Sequence, residues 1–505
     1  MRSFHSRYDP YGEASRFLDN AIGTRRPSCL VILGGAADWL SQVARSRFPL
    51  SRVISVQYSP AFRGEERPGA DFRWYPDDTE PLSSFLLRGV RGTLDGGVVI
   101  VPWKPSESAF PDVASFVFRT VQSVLEEIAA DAATLRYWSY RWARNSIRNF
   151  VGAHGFYSVP HSDFPVVIAA AGPSLEMSLR ALVPFRNRFH LWALTSAAGC
   201  CLDSGLKIDL LISTDAGLWA DRHFDALTRD PGSSKTPIAA LLSARIPSRA
   251  LATHPLVLLS QDHPLEADLR TAAGIPCHLS VPRGTASADA LSFALAETSG
   301  PILLAGLDMA SFDLRSHCRP HGFDACVRHE ERRLSPFLSR LWARETVAFP
   351  IRSGSWRRGR SFDLYATGVA DRSPRPVYRL DPSPVEVPGT VSISSSPEDL
   401  KPLLRLPAAR PSSVYMSPGA PGRPERVRIV MDVLRSWEKE TLEWIDSPDI
   451  LRPESRGRYL LYALGGAESA GFLAESARGS LNSDFAGRAR SAVRASVRAL
   501  MEMAS

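Results

Sequence analysis

Apolar bursts of strand length alternate with helix-period stretches through the first two thirds of the chain, the pattern of stacked α/β layers. Leu30–Leu33 runs into Gly34-Gly35 and a helix predicted over Ala36–Phe48, and Val53–Val56 and Val98–Val101 read as further buried strands of the same sheet. From Pro111 to Phe150 the period changes. Val113, Phe116, Val117, Val121, Val124, Leu125 and Ile128 recur at helical spacing, with no glycine or proline after Pro111 to interrupt them. One long helix, or two in series, is predicted there as a spacer between domains. A second α/β unit begins at Phe164, with strands predicted over Val166–Ala170, Leu191–Thr195, Leu210–Thr214, Ile238–Leu242, Leu256–Leu259 and Ile302–Leu304. Helices are predicted between them over Leu175–Leu182, Ala197–Ser204 and Ala288–Ala296. Strand, turn and helix recur at intervals suited to βαβ crossovers and a parallel sheet.

Beyond about residue 370 the composition shifts. Residues 371–424 hold 12 of the 39 prolines, which suits extended connection or edge structure rather than a packed domain. Helical periodicity returns over Glu425–Ile445 and Arg458–Met503. The predicted architecture is α/β: an N-terminal α/β domain (1–110), linking helices (111–160), a central α/β domain (161–345), a proline-rich connection (346–424) and an all-helical C-terminal domain (425–505).

A length of 505 residues fits several cores rather than one, and 44% hydrophobic with 22% charged residues excludes a mostly disordered chain or a fibre. The net charge of +7 changes the picture more, because only five of the 60 basic residues are lysine. Arginine forks carboxylate and phosphate in two-point contacts, so a phosphorylated ligand or nucleic acid enters consideration. No helix-turn-helix, zinc-finger or RNA-binding aromatic signature appears, and the run Arg357-Arg358-Gly359-Arg360 reads as a solvated basic loop. Six cysteines, two of them adjacent, make no disulfide framework. Charged residues break up the first ten positions, and no apolar run approaches the ~18–20 residues of a membrane span. The expected setting is cytoplasmic.

The sharpest local feature is Val166–Leu175, a buried strand running into Gly172-Pro173-Ser174 and a helix. Gly172 lets a ligand approach the backbone, Pro173 fixes φ, and Ser174 offers a hydroxyl beside free helix N–H groups; it suits an anion, or it is a plain capped turn. The following strand ends carry Ser196 and Asp215, which in an open parallel sheet would face the same crevice. Trp219 and His223 follow one turn apart and could cover a base or sugar ring. A further cluster, Arg283-Gly284-Thr285-Ala286-Ser287, precedes a helix, and the next strand ends at Gly306-Leu307-Asp308. Two strand-end carboxylates, Asp215 and Asp308, could bind ribose or metal, act as base, or cap helices. His317, Cys318, His321, Cys326 and His329 supply zinc-ligand types at poor spacing, so no metal site is assigned and His317 alone is the better candidate. The Gly34-Gly35 turn lacks the later glycines and the acidic ribose contact of a dinucleotide site.

Gly172-Pro173-Ser174-Leu175, Asp215 with Trp219, Gly284-Thr285-Ala286 and Gly306-Leu307-Asp308 with His317 together resemble the central domain of the motility accessory factor (Maf) flagellin glycosyltransferases, also described as 6-hydroxymethylpterin diphosphokinase MptE-like. The opening Tyr8-Asp9-Pro10-Tyr11-Gly12-Glu13-Ala14 is similar to the family's N-terminal signature, and Trp142, Asn145 and Asn149 to the end of its linking helix. One departure stands out: the N-terminal turn reads Gly35-Ala36-Ala37-Asp38 where the family continues Gly-Tyr.

The resemblance implies two Rossmann-like parallel-sheet units and transfer of a nonulosonic acid, of pseudaminic or legionaminic type, from a CMP-sugar donor to Ser or Thr of flagellin. Under it, Gly172, Pro173 and Ser174 hold the donor phosphate, and Ser196, Trp219, Thr285 and Ser287 join them in binding. Asp215 contacts nucleotide or sugar, and His317 or Asp308 is the base for the acceptor hydroxyl. The alternatives are a diphosphokinase using ATP and Mg²⁺ on a hydroxymethylpterin, with Asp215 and Asp308 on the metal, and a non-catalytic flagellin-binding accessory.

Overall fold

The first apolar bursts form a parallel sheet from β1 (Cys29–Leu33), β2 (Arg52–Val56), β3 (Phe72–Trp74) and β4 (Val98–Pro102), in the order β3-β2-β1-β4. These strands come from a computed structural model that describes residues 4–90, 97–229, 232, 235–261, 263–280, 284–369, 373–405, 411, 414–448, 456–477 and 483–505. Val31, Leu33, Ile54 and Val56 face a core completed by Leu82 and Phe85 and by Val117, Val121, Val124 and Ile128. Leu30, Ile32, Val53, Val99 and Val101 face a second core with Leu18, Ile22, Leu40 and Val43. Cover on both faces is why these strands read as unbroken apolar runs.

The predicted helix over Ala36–Phe48 begins only at Trp39. Gly34, Ala36 and Asp38 hold left-handed backbone with φ of 70°, 51° and 64°, which a right-handed helix cannot include. Helices Pro10–Ile22 and Leu82–Val90 and the three-residue β3 add elements the apolar pattern did not reveal. Pro111–Gly152 is one 42-residue helix. Its first half carries the periodic valines into the core, so it does more than space two domains.

The chain forms two compact units, Met1–Arg141 with Leu434–Glu502, and Trp142–Val433 with Met503–Ser505. The second contains β5 (Phe156–Ser158), β6 (Val166–Ala169), β7 (His190–Leu194), β8 (Leu210–Ser213), β9 (Ile238–Leu241), β10 (Leu256–Ser260), β11 (His278–Leu279), β12 (Ile302–Ala305), β13 (Ser311–Phe312), β14 (Ile351–Ser353), β15 (Trp356–Arg358), β16 (Val377–Leu380), β17 (Thr390–Ile393) and β18 (Tyr415–Met416). The large sheet runs β17-β16-β12-β6-β7-β8-β9-β10-β5-β18 with β11 beside β10, and β13, β15 and β14 form a small antiparallel sheet. Among the described residues, only β18 in the large sheet runs antiparallel to its neighbour. Strand order advances from β6 through β10 on one side and departs to β12 on the other. The junction of β6 and β12 is therefore the topological switch point, where open α/β sheets place ligands.

Two strands of the proline-rich stretch, β16 and β17, extend this sheet past β12. Its prolines flank the strands rather than interrupt their ladders. The C-terminal region is helical, with Arg423–Asp446, Arg456–Leu464, Glu468–Ala477 and Ser483–Ala504. Among the described residues no helix is long and apolar enough to cross a membrane.

Candidate active site

At the switch point, the turn after β6 meets the turn after β12. The Gly172 N–H donates to Gly306 O at 2.8 Å. The Ser174 N–H donates to Asp308 Oδ2 at 2.7 Å, and its hydroxyl donates to Asp308 Oδ1. Pro173 and Ser174 are buried, and Asp308 is 1% exposed. Gly172 is required because a Cβ there would drive into Gly306 O and stand 2.5 Å from Asp308 Oδ2. The N–H and hydroxyl offered to a phosphate are thus held by a carboxylate of the chain itself. Burial pushes the Asp308 carboxyl up to about 6, against the lowering influence of Ser174's two hydrogen bonds and of Arg379's charge.

Arg379 is a residue the sequence reading missed. It sits on β16 opposite Leu304 of β12, 5% exposed, with Nε and Nη1 unpartnered. Burial lowers its pKa, while the charges of Asp381, Asp308 and Glu386 oppose that. A lone arginine among 55 in a proline-rich stretch gave no signal.

A second cluster forms where the segment after His317 crosses the ends of β6 and β7. The Cys318 N–H donates to Ala171 O at 2.8 Å, while the Cys318 side chain is wholly buried. His317 and His321 have ring centroids 4.4 Å apart, and His321 lies 4.9 Å from His223. Phe323 stands 4.8 Å from His223, with Trp219 6.5 Å beyond it. His223 Nδ1 and His321 Nε2 are buried and unpartnered. The surrounding protein lowers all three imidazole pKa values, desolvation first, so the rings are neutral at pH 7. His317 keeps an exposed edge, so its depression is the one solvent most readily relieves.

These rings separate two cavities. One, of about 530 Å³, is lined by Thr195, Ser196, Arg222, His223, Arg319, His321 and Arg328, among others. The other, of about 280 Å³, holds His317, with Phe337, Leu341 and Glu345 in its walls. Arg319, His321 and Asp324 line both. Asp215 and Trp219 line neither. Asp215 is exposed and accepts the Gly217 N–H on Oδ1 at 2.7 Å, while its charge favours protonated His223. Trp219 is 57% exposed, so it is not core. Thr285 caps helix Ala286–Glu297, its Oγ1 accepting the Ala288 N–H at 3.2 Å, and Ser287 is buried in the first turn. Neither lines the two cavities. Arg283 and the side chain of Cys326 lie outside the described residues.

The strand-end loops are pinned by the second half of the long helix. Asn145 Nδ2 donates to Ala216 O and Ser243 O at 3.2 and 2.9 Å, and Asn149 Nδ2 to Leu242 O and Ala244 O at 2.8 and 2.6 Å. Two amides one turn apart thereby fix the turns after β8 and β9. Asp308 turns both oxygens to Ser174, and Asp215 turns one to its own turn. Among the described residues no group of three His, Cys, Asp or Glu is placed to hold a metal ion.

Residues 142–313 match the family described as 6-hydroxymethylpterin diphosphokinase MptE-like. An uncharacterized protein of Treponema pallidum (strain Nichols) is 28% identical over 240 residues, 48% of this chain and 52% of that one. A second from the same organism is 27% identical over 117 residues, 23% of this chain and 54% of its own length. The chain thus spans about half the length of the curated relatives it matches. In three dimensions it is similar to the Maf glycosyltransferase from Magnetospirillum magneticum AMB-1, with a TM-score of 0.59 at 11% identity, over 97% of this chain and 83% of that structure. Residues 142–313 thus match the MptE-like family, and the chain shares its fold with a Maf glycosyltransferase.

Proposed function

We propose that this chain is a glycosyltransferase that moves a nonulosonic acid from a CMP-activated donor to a Ser or Thr hydroxyl of a protein, flagellin under the family resemblance. The observation that carries the reading is the 530 Å³ cleft at the end of β7, where Arg222, Arg319 and Arg328 meet two neutral histidines, with Arg222 and Arg319 held by Asp225 and Asp324 and with Asp203 also in the wall. Arginine forks suit the donor phosphate, and Ser196 supplies a hydroxyl beside them. Neutral imidazole is the form that accepts a proton.

In the reaction so read, the bond from the anomeric carbon to the CMP phosphate breaks and CMP leaves with that electron pair. The acceptor oxygen forms the new bond, and its proton passes to His317, which keeps an exposed edge next to His321. Asp308 is the weaker candidate for base, because its oxygens are held by Ser174 in a buried position. Arginines aimed at the departing phosphate stabilise its charge without reorganising.

The test is incubation of the purified chain with CMP-nonulosonate and flagellin, read by intact mass, beside ATP with 6-hydroxymethylpterin. A flagellin mass increase of one sugar, lost in His317→Ala, is the expected result. Pterin diphosphate formation, or flagellin binding with neither product, would overturn it.

A further inference from the structure

The helix Phe337–Ala348 shows two faces of different chemistry. Leu341 and Glu345 are buried on one face, where they line the cavity that holds His317. Beside that face Leu338 and Trp342, one turn apart, are 69% and 58% exposed, and Leu334 just before the helix is 96% exposed. Three large apolar side chains at four-residue spacing in water are unusual on a charged surface. The surrounding charge is equally lopsided. Residues 328–360 hold nine arginines against three glutamates and no aspartate, an excess of six positive charges in a chain whose net charge is +7. Arg328, Arg332, Arg333, Arg344, Arg352 and Arg360 are exposed.

We propose that this surface docks the acceptor protein, which presents an acidic segment whose apolar side chains lie over Leu334, Leu338 and Trp342. The inference rests on the transferase reading, since it gives the acceptor a route to His317 along the helix that walls that cavity. Charge complementarity selects an acidic partner and steers its approach. The apolar stripe supplies the burial that holds it, with Trp342 as the anchor. A lipid surface suits the patch less well. The stripe leads along the helix to a cavity that holds His317 rather than away from one, which a flat headgroup layer would not use.

The test uses the full chain and purified flagellin monomer, with binding measured by calorimetry at 50 and 300 mM salt. Two double variants are compared with wild type, Leu338→Glu with Trp342→Glu and Arg332→Glu with Arg333→Glu. Wild-type affinity is expected to fall at high salt, and each variant to lose at least tenfold at low salt. Thermal midpoints and hydrolysis of CMP-sugar without flagellin should stay at wild-type level. Unchanged binding in both variants overturns the proposal, as does a wild type that binds no flagellin. So does patch-dependent sedimentation with anionic phospholipid vesicles in place of flagellin binding. Variants that transfer sugar as wild type does remove the docking surface and leave the transferase reading standing. Patch-dependent flagellin binding with neither hydrolysis nor transfer leaves the surface standing and removes the transferase.

Discussion

At the end of β1 the turn Gly34–Asp38 closes on a buried aspartate, and at the end of β6 the turn Gly172–Ser174 closes on another. Asp38 accepts from Ser41 Oγ at 2.6 Å, from Ser55 Oγ at 3.0 Å and from Arg73 Nε at 2.9 Å. Asp308 accepts twice from Ser174, and the arginine nearest in kind, Arg379, keeps Nε and Nη1 unpartnered. In the first turn a cation and two hydroxyls answer the carboxylate, and nothing is left over. In the second the carboxylate is answered by one serine, and a buried cation remains without a hydrogen-bonded counterpart. Two similar turns therefore differ in what they still offer to a ligand. The N-terminal turn is complete as built, whereas the central one lies at the switch point with an unpaired guanidinium on the next strand but one.

The largest effect should come from cutting the second closure. Asp308→Ala strands a buried N–H and a buried hydroxyl, a loss of about 3–5 kcal/mol by the cost of unsatisfied buried donors. Asp38→Ala should lose less in urea unfolding, because the hydroxyls of Ser41 and Ser55 can rotate to other acceptors as the Ser174 N–H cannot, and Arg73 is partly exposed so that water can replace its partner. Equal losses would erase the distinction between the two turns.

The pH dependence sharpens it. The Asp308 carboxyl stands at about 6 in the folded chain against an ordinary 3.8. A raised folded value means the folded state holds a proton that the unfolded state has released between those pH values. The group's stabilising contribution is full below about pH 4 and is lost as pH climbs to about 6, a fall of about 3 kcal/mol. Asp308→Asn should flatten that part of the unfolding curve. An unchanged pH dependence in this variant would show that Asp308 titrates as an ordinary carboxyl.

Gly172→Ala comes next. Its Cβ would press on backbone, Gly306 O, as well as on Asp308, whereas a Cβ at Gly35 meets a side-chain oxygen, Asp38 Oδ1, at 2.7 Å. Overpacking against backbone suggests a loss of about 2–3 kcal/mol for Gly172→Ala and about 1 kcal/mol for Gly35→Ala. Thermal midpoints of the two variants decide whether the central turn is the less forgiving one.

What could be read from the chain follows the same physics. Strands covered on both faces, such as Val166–Ala169 and Leu210–Ser213, announce themselves as apolar runs, and helix Leu175–Leu182 begins and ends where its period predicts. β3 is only three residues long, and β16 and β17 mix polar with apolar residues among flanking prolines, so none of them makes an apolar run. At the site, local chemistry showed Gly172 and Ser174, but not that Asp308, 134 residues later, would take the helix N-terminus. His317 was visible as a residue type in a suggestive place. Its grouping with His321 and His223 depends on a loop crossing two strand ends, which no local pattern encodes. The pinning amides Asn145 and Asn149 showed only through a family likeness.

The smallest stability effect, and the most informative one, belongs to Arg379. Truncating Arg73 leaves the buried Asp38 carboxylate without its cation, so Arg73→Met should cost about 2 kcal/mol, less than a fully buried pair because Arg73 is partly exposed. Arg379 has no such bond to lose. Its guanidinium is desolvated with two groups of N–H donors unsatisfied, a cost the folded chain already bears. Arg379→Met should leave the unfolding midpoint unchanged or slightly raised, since the thioether fills the space without a charge. If the guanidinium is kept for the anionic group of a donor, the same variant should raise the KM for CMP-nonulosonate by about tenfold, the value of one charge-assisted contact of about 1.4 kcal/mol. A lowered midpoint with an unchanged KM would make Arg379 a structural counter-charge to Asp308, and the two turns would then be alike.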